Sequence, residues 1–468
     1  MKGSGKTHLT KLFVLEALCE VQNNPHAKLV IYEPKREFYA WLCSLKAYGL
    51  RARIDYFLPS DRRSVALDFG ADYRGLQDSL TLAYAFNPYN PQETQQFWSD
   101  ALRSIYAAVY YAIHRKLGRA DLRLVCLVLE DEENVRCLLK DEPDCVSAYK
   151  LLVDRTGQPT ETERNIHMTI HSRLAAMRIL AAHLDQARRH KALLSLRKFV
   201  ERPGPADKEG RPRGRVLVVS KDSRFKSTQD PMNGVLFLRL VEILDGQQQD
   251  PDRKVFLVID EFPTLAGDNP CPGIIDAFLR LRSRGVTILM TYQAITSLKR
   301  IYGPEASETL GQCTNVIYLR QADLESAEYA STDLGHDWGK EEKISRTQGD
   351  DNLSRTQQSD WFDRAKHPPT ELLNYLPPAS REIGIRGRAK SPAWDKDPYK
   401  VRIDPLYITR RIPQTDHESF PEYLCRSRNS ERLRALTAGE RKALGLPPAR
   451  PMLQEGQTCP PDELFLDG

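Results

Sequence analysis

The residues best equipped for chemistry fall into two short stretches at opposite ends of the first 261 positions. Gly3-Ser4-Gly5-Lys6-Thr7 leads into a helical pattern. Its glycines let backbone N–H groups converge on phosphate oxygens, and the positive end of the helix adds to the attraction. Lys6 would reach the β- and γ-phosphates of ATP, and the Thr7 hydroxyl would ligate Mg²⁺. The second stretch, Val255-Phe256-Leu257-Val258-Ile259, runs into Asp260-Glu261. A buried parallel strand delivers its last residues to the carboxyl edge of a sheet, where ligands bind in open α/β folds. There Asp260 would hold Mg²⁺ and its water shell, while Glu261 would orient and deprotonate the attacking water. Each stretch alone also has a bland reading, as a loop capping a helix or a strand closing in an acidic turn. Two independent halves of one site are much harder to obtain by accident.

The full phosphate-loop pattern asks for a further glycine five residues before Gly5 and a strand ahead of the loop. Both positions precede Met1. The expectation is therefore a fragment, or a misassigned start, whose missing central strand leaves an open slot in the core. Beyond the acids, Gln293 sits just past a predicted strand, Thr287–Thr291, and would sense the γ-phosphate or position water. A polar strand terminus is an equally good reading of that residue. Arg282 and Arg284 close the helix before that strand. Either could serve as a finger into a neighbouring copy's site, since a guanidinium stabilises a transferring phosphoryl group. Favourable contact with a helix C-terminus is the plainer alternative.

These residues need a scaffold, and the hydrophobic pattern supplies one. Short apolar strands are predicted at Leu29–Tyr32, Val216–Ser220, Val255–Asp260, Thr287–Thr291 and Asn315–Leu319. Helical periodicity separates them, with Phe38, Trp41, Leu42 and Leu45 on one face of the second helix. Strands alternating with helices predict an α/β fold with a doubly wound, mostly parallel sheet. Residues 93–200 are helical almost throughout, strand-like only at Leu122–Leu129, and read as an inserted all-helical domain. Glu201–Arg215 reads as a linker, Gln348–Gln358 as a mobile loop, and Thr437–Leu444 as a helix in a proline-rich tail. The division is thus 1–92 and 201–405 for the nucleotide-binding parts, 93–200 for the insertion and 406–468 for the tail.

Composition excludes several classes. A hydrophobic fraction of 41% and a charged fraction of 28% suit a soluble globular chain. No run approaches the ~20 apolar residues of a membrane span, and no signal or transit peptide opens the chain. As written it reads as cytoplasmic. The nine cysteines contain no CxxC pair, which argues against a disulfide framework or zinc site. A net charge of +5 permits nucleic-acid binding without arguing for it.

With these residues in hand, the chain resembles the type IV coupling proteins, the TraD/TraG class of conjugation and secretion ATPases. The resemblance rests on the GSGKT loop, Ile31-Tyr32-Glu33-Pro34-Lys35, Phe86-Asn87-Pro88-Tyr89 and Phe97-Trp98. It continues through Val258-Ile259-Asp260-Glu261-Phe262-Pro263, Arg282-Ser283-Arg284-Gly285, Gln293, Tyr302-Gly303, Ala327–Gly335 and Leu376-Pro377-Pro378. Glu33 replaces the family's usual aspartate, and Lys35-Arg36 stands where Lys-Gly is common. The resemblance implies a RecA-like homohexameric ring that uses ATP and Mg²⁺ to drive DNA or a relaxase-type substrate toward a type IV secretion channel. It also implies a membrane anchor ahead of the phosphate loop, holding the ring on the cytoplasmic side of the inner membrane. Arg282 takes the place of the family's arginine before glycine, which strengthens its case as an interface residue. An FtsK/HerA-like DNA pump is the alternative, disfavoured by the size of the helical insertion. A catalytically impaired remnant that only recruits substrates is another.

The resemblance makes the helical block a docking surface for substrate complexes; a plain structural insertion is the other reading. The basic clusters Arg188–Lys191 and Lys208–Arg215 read as solvated charge more readily than as phosphate contacts. His167 and His171 have helical metal-ligand spacing but no third ligand in view. Trp41, Trp98 and Trp338 read as core anchors.

Overall fold

The structure, a computed structural model, describes residues 3, 5–87, 96–190, 193–250, 253–267, 270–271, 273–348, 353–393, 398–412 and 432–449. Ser4 of the phosphate loop lies outside them, as do Pro88 and Tyr89. Five strands build the central sheet: β1 (Lys28–Glu33), β2 (Arg53–Phe57), β3 (Arg215–Ser220), β4 (Val255–Ile259) and β5 (Val286–Met290). Their order is β2-β3-β1-β4-β5, and every pairing is parallel. β1 is buried along its whole length because helices cover both faces. Leu29 and Ile31 point into one core with Val14, Leu18, Phe38 and Trp41. Val30 and Tyr32 point into the other. That second core is continuous from the sheet (Leu217, Leu257, Ile259) into the helical block (Leu124, Leu138, Ile166).

The helical block includes the helices Gln96–Leu117, Leu122–Leu129, Glu132–Leu139 and Glu161–His190. Leu122–Leu129, strand-like in sequence, is a helix whose first turn is capped by Asp121, the carboxylate accepting from the Leu124 N–H at 2.9 Å. Burial on nearly all sides hides its period. Ala66–Leu67 and Leu193–Leu194 pair in parallel as a two-strand neck where the chain enters and leaves the block. Glu201–Arg215 is non-helical beyond Glu201 but tied down: the buried Lys28 ammonium donates to Pro25 and Arg202 carbonyls at 3.0 and 2.9 Å.

Three expectations fail here. Asn315–Leu319 does not extend the parallel sheet. Its core, β6 (Val316–Tyr318), belongs to a separate antiparallel sheet with strands Ile385–Lys390 and Tyr399–Ile403. Gln348–Gln358 is not simply a loop. β7 (His336–Gln348) and β8 (Leu353–Ala365) form a long antiparallel ribbon joined by a backbone ladder. We label the remaining strands β9 (Ile385–Lys390) and β10 (Tyr399–Ile403). Trp338 lies on the ribbon, 73% exposed, and is no core anchor; Trp41 is fully buried and Trp98 packs against the main core. Among the described residues β5 and β6 each have a strand partner on one side only. Ile288, Leu289 and Met290 on that edge are only half-buried, and Ile317 is exposed.

The tail folds back. Helix Ala438–Leu444 is started by a capping box between Thr437 and Glu440. It lies on the helical block, where buried Arg123 donates to the Arg434 and Ala435 carbonyls and ion-pairs with Glu440.

Glu33 ends β1 in full burial, accepting from the Phe38 and Tyr39 N–H groups at 2.6 and 3.2 Å and from the Ser220 hydroxyl at 2.9 Å. Burial pushes its carboxyl from 4.5 up to about 7, against those hydrogen bonds. Between these values the native chain holds a proton that the unfolded chain releases. The resulting stability is complete below 4.5 and is lost as pH rises through about 7. Urea unfolding should show Glu33→Gln flattening this dependence between about pH 5 and about pH 8, by on the order of 2–3 kcal/mol.

Candidate nucleotide site

The helix Lys6–Val21 begins at Gly5, whose φ of 91° is left-handed, and no side chain caps it. Its first-turn N–H groups therefore face the loop without side-chain competition. Gly5 is required twice over: a Cβ there would lie 2.7 Å from Ile385 Cγ1 and 3.0 Å from Ala379 Cβ. The Ala379 N–H also donates to the Gly3 carbonyl at 3.0 Å. The segment after Leu376-Pro377-Pro378, together with β9, thus clamps the loop from behind. Sequence reading missed that clamp, although the alternating burial of Ile385, Gly387 and Ala389 has its trace in the strand's alternation of small or apolar residues with charges.

Across 255 positions of sequence, the Lys6 ammonium lies 2.5 Å from Glu261 Oε2 and 3.9 Å from Asp260 Oδ1. Gln293 Nε2 donates to the same Glu261 oxygen at 2.6 Å. Four of the residues singled out by sequence are therefore in one place. Asp260 is 1% exposed as a side chain, Glu261 11% and Lys6 14%, so the pair is shielded yet reachable. Thr7 follows Lys6 in the first helical turn, half-buried. Arg282 is not brought to this cluster. It is exposed in the short helix Leu281–Arg284 before β5, on the amino side of a sheet whose carboxyl edge carries the acids. Arg284 faces Asp245 at 3.9 Å. His167 and His171 have ring centroids 6.3 Å apart; among the described residues no group of three or more His, Cys, Asp or Glu side chains could hold a metal ion.

Thr291 is a further site residue that sequence reading did not single out. Its hydroxyl donates to Asp260 Oδ1 at 2.8 Å and accepts from the Glu261 N–H at 3.1 Å. Glu261 has φ 62°, one of two left-handed non-glycine residues among those described. Such a conformation costs about 1–3 kcal/mol and persists only where its surroundings enforce it. The Thr291 hydroxyl and the bond from the Phe262 N–H to the Thr291 carbonyl at 2.8 Å supply that enforcement. One small side chain thereby fixes both acids.

The donor set fits a magnesium triphosphate. Mg²⁺ takes one or two protein oxygens and completes its shell with water and phosphate oxygens. Asp260 and Thr7 would hold the ion, and Lys6 with the open helix end would hold the phosphates. A family model described as the type IV secretion-system coupling protein DNA-binding domain matches residues 1–368. The chain belongs to this family. No curated protein matches it. Among solved structures, the bacterial conjugative coupling protein TrwBdeltaN70 in its unbound form aligns at TM-score 0.61 and 16% identity, over 86% of this chain and 83% of that one. TrwB with a non-hydrolysable ATP analogue aligns at 0.63 and 16%, over 90% and 86%. TrwB with ADP and Mg²⁺ aligns at 0.60 and 16%, over 90% and 85%. At such identity these likenesses establish the fold, a coupling-protein α/β domain with its helical insertion. Among the described residues no helix is long and apolar enough to cross a membrane.

Thr291→Val should lower turnover on the order of 10-fold or more and raise the Mg²⁺ requirement, while Thr291→Ser restores both. Steady-state ATPase assays across Mg²⁺ concentrations measure this.

Proposed function

We propose that this coupling-protein chain is an ATP-hydrolysing motor that moves DNA or nucleoprotein toward a type IV secretion channel. The observation that carries the reading is the convergence of Lys6, Asp260, Glu261 and Gln293 at one buried edge. The nucleotide complexes of TrwB support ATP and Mg²⁺ as the ligands, and membership of a DNA-binding domain family supports DNA as cargo. Bound Mg²⁺ would neutralise charge on the phosphates. The side chains do the rest. Lys6 holds the terminal phosphates, Glu261 takes the proton of the attacking water, and Gln293 keeps that water in line. Here the Lys6 and Gln293 donors both sit on Glu261 Oε2. Drawing Lys6 onto phosphate removes one of them, so the base becomes available only when substrate is present.

Arg282, on the far edge of the sheet, would act in the site of a neighbouring copy, which makes a ring of copies, a homohexamer by family resemblance, part of the reading. The same resemblance brings relaxase and channel proteins as partners and the cytoplasmic face of the inner membrane as the workplace. The two-strand neck of Ala66–Leu67 with Leu193–Leu194 supports beginning the helical insertion there, ahead of residue 93. An intact acid pair beside Lys6 speaks against a catalytically impaired remnant.

Lys6→Ala and Glu261→Gln should each lower DNA-stimulated ATPase activity on the order of 10²-fold or more. Unchanged activity would reject the assigned site. Arg282→Ala should spare nucleotide binding and abolish turnover, and equal loss of both would instead indicate a folding defect.

A further inference from the structure

Beside the acids, the carboxyl edge of the sheet carries a second cluster of charge. The turns after β1, β3 and β2 follow one another in space, in the strand order leading away from Asp260. They present Lys35 and Arg36, then Arg224, then Arg62 and Arg63. Two buried carboxylates organise these cations from behind. Asp222 takes the side of Arg224 at 2.6 and 3.1 Å and lies 3.5 Å from Arg36. Asp61 grips Arg63 in the same side-on way, at 3.0 and 2.6 Å, over the rings of Tyr39 and Tyr56. Asp222 also meets the Ser60 hydroxyl at 3.5 Å, so the turns are fastened to one another. A side-on fork engages two of a guanidinium's five donors and fixes the plane in which the others point. Lys35, Arg62 and Arg224 are exposed.

The backbone adds an independent sign. Arg36 has φ 61°, and with Glu261 it is one of the two left-handed non-glycine residues described. Glycine would sit there without strain. Keeping arginine in that conformation makes sense where its side chain is used. A row of cations across three adjacent strands, with Arg36, Arg63 and Arg224 held by Asp61 and Asp222 and spanning about 10 Å at the usual strand spacing, suits a polyanion with regularly spaced charge.

We propose that this strip, headed by Arg36, contacts the phosphodiester backbone of the nucleic acid that the motor moves. It rests on the reading above that the chain handles nucleic acid. The strip gives that activity a track beside the hydrolytic residues, one strand from Asp260. Contacts of this kind position the strand without reading its bases, so they should be strongly salt-dependent.

The test uses the whole chain with a thymidine oligonucleotide and a duplex of equal length, titrated across salt concentrations. Arg36→Gly should keep or raise the thermal midpoint. It should weaken oligonucleotide binding about three- to tenfold and make the salt slope shallower by about 0.7 for the single strand or about 0.9 for the duplex. The double variant Lys35→Ala/Arg62→Ala should lose about twice that slope, and the exposed control Arg155→Ala/Lys208→Ala should lose none. Wild-type affinity and slope in both strip variants, or an equal loss in the control, would overturn the strip and leave the nucleic-acid reading standing. A wild-type chain that binds neither oligonucleotide would overturn both.

Discussion

The ion pair between Lys6 and Glu261 is the contact on which the rest of the molecule depends. It joins the phosphate loop to the acidic end of β4, and it holds only because three separate parts of the chain are fixed around it. The clamp of Ala379 and Ile385 sets the loop. Thr291 sets the acids, forcing Glu261 into a backbone conformation it would not otherwise keep. Parallel pairing of β1 with β4 and of β4 with β5 puts the ends of the strands level. Two charges held this close, and largely out of water, stabilise the site only while both are present. Phosphate is the natural competitor for the lysine.

The same edge of the sheet shows how chemistry and transport become neighbours. Both left-handed non-glycine residues among those described lie there, one strand apart: Glu261 at the acids and Arg36 at the head of the basic strip. Behind the edge, a single apolar core runs from the sheet into the helical block, so a displacement of the β4 and β5 ends meets packed side chains rather than a hinge. The tail adds to that block through Arg123, a buried cation satisfied by carbonyls and Glu440. Pulling the tail away would strip that buried charge of Glu440 and two carbonyls and leave it facing Asp185 at 3.6 Å, a costly state.

What could be read from the sequence followed burial. β1, β3 and β4 were legible because strands covered on both faces are continuous apolar runs, and the site was legible because Lys6, Asp260 and Glu261 sit at the ends of such elements. β2 escaped because Arg53 and Asp55 interrupt it; Asp55 accepts from Arg53 in its own strand and from Arg215 on the next, and the second pairing is a tertiary fact. The ribbon of β7 and β8 escaped because strands held by each other's backbone need no hydrophobic signature, and Trp338 was misjudged with it. Leu122–Leu129 misled because a helix buried all round loses its period. Thr291 carries no signal of its own. Its importance comes from two hydrogen bonds made across a sheet.

The most direct test is a crystal structure of the chain with a non-hydrolysable ATP analogue and Mg²⁺. Lys6 should have left Glu261 Oε2 for the terminal phosphates, with the Thr291 bonds to Asp260 and Glu261 retained. A nucleotide bound elsewhere, with Lys6 still paired to Glu261, would contradict the account.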